Sequence, residues 1–116
     1  MKTIFKIIAA ACLVLGANAY ADNAGLSLAQ KNACLSCHSA DNKIVGPAYK
    51  DVANKYRDKA YLKQMGYKDT KAVEAYLVDK VQKGGSGVWG AIPMPPNPQV
   101  KEEDLRVIVK WVLSLK

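Results

Sequence analysis

The chain has 116 residues, of which 50% are hydrophobic and 23% charged, with three cysteines, one histidine and a formal net charge of +7. Such a composition is globular and excludes a disordered, collagenous or coiled-coil chain, and the length allows one domain. A single histidine also excludes any chemistry that needs two imidazoles from this chain.

Met1 to Lys6 is a short basic start, Ile7 to Leu15 is an apolar run, and Ala19-Tyr20-Ala21 puts small residues where a signal peptidase reads. The apolar run is far shorter than the roughly 20 residues that span a bilayer. It predicts an export signal over residues 1–21 and a mature domain over residues 22–116, located in the periplasm. The alternatives are an uncleaved anchor, or lipidation at Cys12, for which Ala9-Ala10-Ala11 is a poor context. Cleavage after Ala21 removes two lysines, no acid and Cys12, leaving Cys34 and Cys37 as the only cysteines. An exported basic chain with a pI near 9.4 rarely meets nucleic acid, and its charge points to acidic proteins or anionic lipid.

Helical spacing recurs along the mature chain and period-2 alternation is almost absent, so the expected fold is all-α. Ser27 is placed to cap a first helix running towards Leu35. Pro47 suits the first turn of a second, with Tyr49, Val52, Ala53 and Tyr56 at i, i+3, i+4 and i+7. The pattern weakens between Arg57 and Lys68, where Ala60 to Met65 forms at most a short helix. Thr70 starts another helix with Val73, Tyr76, Leu77 and Val81 on one side and Gly84 as its stop. Residues 84–98 hold four of the five prolines and four of the eight glycines, so neither helix nor strand is expected to cross them. A loop this long in a small domain is commonly functional, and Val88, Trp89, Ile92 and Met94 argue against disorder. Glu102, Glu103 and Asp104 favour the start of a last helix with Leu105, Ile108, Val109 and Val112 as its buried stripe.

Cys34-Leu35-Ser36-Cys37-His38 is the strongest chemical signal. Cys-x-x-Cys-His is the attachment signature of c-type haem. Residues three and four apart on a helix end share a face, so both thiols and the imidazole can address one flat ligand. The sulfurs are suited to thioethers with the haem vinyl groups, and His38 to placing a ring nitrogen on the iron. A disulfide, a thioredoxin-like pair and half of a zinc site are the competing readings. Zinc lacks two further Cys or His ligands in the mature chain, and the βαβ setting of a thioredoxin site is missing. For the opposite axial position Met65, Met94, a lysine or an open site remain. Met94 is favoured, because Pro93, Pro95 and Pro96 pre-set the backbone around a weakly binding thioether and reduce the entropy lost on ligation. Met65 reads better as an apolar gap-filler.

Taken together, Cys34 to His38, Gly46-Pro47-Ala48-Tyr49, and Gly87-Val88-Trp89-Gly90 through Pro93-Met94-Pro95-Pro96-Asn97 resemble a small bacterial monohaem class I cytochrome c of the cytochrome c-551 group. The resemblance implies an all-helical fold with first and last helices crossing around one covalent haem c whose edge is partly exposed. It implies thioethers from Cys34 and Cys37 and axial ligation by His38 and Met94. It further implies that the Pro47 carbonyl accepts a hydrogen bond from His38, that Trp89 binds a haem propionate, and that Asn97 lies near the methionine sulfur. Lys80 stands where the family's propionate-binding arginine is found, replacing a planar fork with a point charge. The segment between Arg57 and Thr70 is extra relative to the smallest members.

The function implied is that of a monomeric electron carrier, not an enzyme. It would meet redox partners at the exposed haem edge and deliver single electrons to a haem nitrite reductase or a terminal oxidase. A haem protein with an open sixth position, binding a small ligand or acting as an enzyme, is the alternative if Met94 does not ligate. Residues 50–71 carry seven cations against three aspartates, which suits either a solvated surface or a patch that orients an acidic partner.

Overall fold

A computed structural model describes the backbone from Gly16 to Lys116, and the side chains from Ala24 onwards. The export signal expected at residues 1–21 lies for its first 15 residues outside the described ones. Helix α1 spans Gly16–Lys31 and is followed by a single 3-10 turn at Cys34–Ser36. Next come α2 at Tyr49–Lys55, α3 at Lys59–Met65 and α4 at Thr70–Lys83. A hairpin of β1 (Gly85–Gly87) and β2 (Gly90–Met94) precedes α5 at Glu102–Ser114. Among the described residues the fold is mostly helical, with this one small sheet.

Helix α5 organises the core. Leu105, Ile108, Val109, Trp111 and Val112 are its buried residues, and α1, α2 and α4 all pack against it. Its acidic first turn complements the positive end of the helix dipole. Gly25 of α1 meets Trp111 so closely that an added Cβ would lie 2.1 Å from the Trp111 Cβ. The crossing of the first and last helices therefore depends on a missing side chain at 25. Asp58 accepts hydrogen bonds from the backbone of Ala60 and Tyr61 to cap α3, and Asp69 accepts from Ala72 to cap α4.

Several sequence expectations need correction. The stretch 84–98 does carry strands: β1 and β2 pair antiparallel, Gly85 opposite Met94 and Gly87 opposite Gly90, with a register break between. Gly85, Gly87 and Gly90 have φ of 126°, 118° and 114°, values closed to most side chains, and these allow the bulged ribbon. Pro93 is tolerated because a two-stranded ribbon consists of edges only. Ser27 caps nothing; it lies exposed inside α1, which ends at Lys31 because Ala33 turns left-handed at φ 60°. The second helix begins at Tyr49, two residues after Pro47, whereas α4 does start at Thr70, with Asp69 as its cap.

Candidate functional site

The 3-10 turn holds the cysteine motif in a compact arch. Backbone hydrogen bonds run from Cys37 and His38 back to the Cys34 carbonyl, at 3.2 and 3.0 Å. Ala33, immediately before it, is the only described non-glycine residue with positive φ. Strain of this kind costs about 1–3 kcal/mol and concentrates at functional sites. After His38 the chain folds back on itself, with the Gly46 amide donating to the Cys37 carbonyl at 2.8 Å and the Tyr49 amide to Ser39 at 2.9 Å.

This loop grips the imidazole from three directions. His38 Nδ1 lies 2.8 Å from the Pro47 carbonyl oxygen, so the proton sits on Nδ1 and Nε2 is left with its lone pair. Tyr49 stacks on the His38 ring, centroids 4.8 Å apart and planes 16° from parallel. A Cβ on Gly46 would come within 2.3 Å of His38 Cε1. Tyr49 in turn meets Trp111 edge-on at 5.5 Å, which couples the imidazole to the helix crossing. Burial pushes the Tyr49 hydroxyl far above the usual phenol range, with the neighbouring Cys34 adding to the effect. Burial raises the Cys34 thiol as well.

Cys34, Cys37, His38 and Met94 line one cavity of about 350 Å3, a size suited to a small-molecule or cofactor site. The motif and Pro47 line it together with Trp89 and Met94 of the hairpin region and Lys80. Leu77, Val81, Ile108, Val109 and Val112 add apolar lining. Two thiols, one imidazole with a free ring nitrogen and one thioether around an apolar hollow form a donor set compatible with a covalently attached haem. The residues present fit that group.

Met65 has no part in the cavity; it sits on α3, half exposed. Asn97 is likewise absent from the lining. Its side-chain amide donates to the Val81 and Pro95 carbonyls, at 3.3 and 3.1 Å, which ties the proline-rich loop to the end of α4. Three residues at or beside the site lay beyond the sequence reading. Gly46 was legible only as a motif member, Tyr49 only as core, and Lys55 only as one charge among seven. The Lys55 ammonium lies 5.0 Å from the Trp89 ring centroid. Nothing in a one-dimensional pattern pairs residues 34 positions apart.

Comparison with known proteins places this architecture. The Cytochrome c family model matches residues 23–116. Cytochrome c-552 of Nitrosomonas europaea is 44% identical, over all of both chains. Cytochrome c-551 of Allochromatium vinosum is 49% identical over 79% of this chain and 86% of its own. The crystal structure of wild-type Nitrosomonas europaea cytochrome c552 superposes with a TM-score of 0.63 at 42% identity, covering 78% of this chain and 99% of that one.

Proposed function

The chain belongs to the cytochrome c family and binds haem c covalently, and from that premise we propose that it is a periplasmic single-electron carrier with His38 and Met94 as axial ligands. The observation that carries this reading is the convergence of Cys34, Cys37, His38 and Met94 on one apolar cavity with His38 already held by Pro47. When bound, the haem supplies a one-electron ferric–ferrous couple. Cys34 and Cys37 tether it by thioethers. Pro47 fixes the His38 tautomer and ring plane, leaving Nε2 for the iron. Met94, held in β2 between prolines, offers a neutral sulfur that favours the reduced metal and raises the potential. The walls formed by Leu77, Val81 and Ile108 limit water, which keeps reorganisation small. With His38 and Met94 both given to the metal, no substrate would need access to it, which suits a carrier rather than an enzyme.

Trp89 and Lys80, both on the cavity lining, are suited to the haem carboxylates. Asn97 serves the same site at one remove by anchoring the loop that carries Met94. We read residues 1–21 as an export signal, ahead of the stretch 23–116 that the family model matches. No helix among the described residues is long and apolar enough to cross a membrane. Its partners are redox proteins that meet the monomer at the cavity mouth, with a haem nitrite reductase or a terminal oxidase as acceptor.

The test is spectroscopic. The oxidised native protein should show the near-infrared sulfur-to-ferric-iron band, and Met94→Ala should abolish it and lower the potential. A band unchanged in Met94→Ala would transfer the ligand to Met65 and overturn the assignment.

A further inference from the structure

The turn that presents Trp89 to the cavity cannot by itself hold the indole. Gly87 and Gly90 flank it, both at positive φ, and a Cβ on either would meet nothing within 4 Å. Trp89 is 40% exposed and, among the described residues, stacks on no other aromatic ring and donates no hydrogen bond. Its one directional neighbour is Lys55, whose ammonium lies 5.0 Å from the Trp89 centroid and 4.5 Å from that of Tyr61. Both distances fall inside the roughly 6 Å reach of a cation–π contact. Tyr61 belongs to α3, within the segment read above as extra relative to the smallest members, and is backed edge-on by the buried Tyr56 at 5.8 Å.

We propose that Lys55 is a positioning residue: its ammonium, clamped between the rings of Tyr61 and Trp89, ties α3 to the hairpin and fixes the indole at the haem site. This rests on the carrier reading above. The contact would hold the indole N–H ready to donate a hydrogen bond to a carboxylate of the cofactor. It also gives α3 a task. Without Tyr61, Lys55 would stand over Trp89 unsupported and free to turn to water, where a lysine head is well solvated. A chain lacking α3 would need another way to hold the same tryptophan.

The experiment compares haem-loaded native protein, Lys55→Met, Lys55→Arg and Tyr61→Leu. Lys55→Met keeps the apolar stem and removes the cation; Lys55→Arg keeps the cation over both rings. Hydrogen exchange of the two indole N–H resonances is followed in the reduced protein, with Trp111 as the internal reference. Exchange at Trp89 should quicken about three- to tenfold in Lys55→Met and Tyr61→Leu, stay near native in Lys55→Arg, and leave Trp111 unmoved. Unchanged exchange at Trp89 in Lys55→Met, or a parallel rise at Trp111, would overturn the clamp. A native sample lacking the mass of a covalent haem would overturn the carrier reading and the clamp's purpose with it, so the two failures are told apart on one preparation.

Discussion

His38 shows how closely an imidazole can be held by the residues packed around it. Its ring is fixed by a carbonyl, an aromatic face and the absence of a side chain at 46. Gly46→Ala tests the last of these. A methyl 2.3 Å from Cε1 must displace either the ring or the 38–48 loop, at about 1–3 kcal/mol for overpacking of this kind. The thermal midpoint should fall, and the His38 Nδ1 proton of the reduced protein should exchange faster as the bond to Pro47 lengthens. A native midpoint together with native exchange would show that the loop yields without loss. The cysteines and histidine were legible in sequence because covalent attachment demands a fixed local spacing. Tyr49 and Gly46 were not legible as site residues, since each acts through a fold-back that the spacing does not encode.

At the scale of elements, the helices were the readable part. The spacing of Val73 and the α5 stripe reflects burial on one face, which a periodic pattern reports directly. Helix α4 was harder, since its apolar residues divide between two destinations. Val73 and Val78 enter the core, while Leu77 and Val81 line the cavity. The hairpin was missed because its strands depend on three positive-φ glycines rather than on alternation. The α1–α5 crossing was expected, but its dependence on Gly25 was not. Gly25→Ala should separate the helices and lower stability by about 1–3 kcal/mol, read as a lower denaturant midpoint with the haem still attached. An unaltered midpoint would mean that Trp111 repacks freely, contrary to its edge-on contact with Tyr49.

For the whole molecule, charge and aromatic packing set the response to solution conditions. Tyr56 is buried at the centre of Tyr61, Tyr67 and Tyr76, and burial pushes its hydroxyl far above the usual phenol range. Burial raises Tyr67 too, by less. An acid whose folded value is raised stabilises the fold fully below its unfolded pKa of about 10. That stability is lost as pH climbs through the folded value. Denaturant midpoints should therefore be flat near neutrality and fall above about pH 10, with Tyr56→Phe reducing the fall. The same slope in native and variant protein would remove Tyr56 from the account. The basic stretch 50–71 is partly spoken for within the molecule. Lys50 pairs with Asp41, Arg57 bonds to the carbonyls of Leu113 and Leu115, and Lys55 lies between two rings. Lys59, Lys63, Lys68 and Lys71 are the ones left for a partner. Electron transfer to an acidic protein should slow as salt rises. Rates indifferent to ionic strength would assign those lysines to solvent alone.

The left-handed Ala33 has one more implication, for permanence. In a protein that holds its prosthetic group by affinity, any strain relieved when the group leaves would hasten its release. Two carbon–sulfur bonds remove that escape. The contortion can weaken the fold but not the hold, so an ordinary alanine is tolerated where a dissociable site would have called for glycine.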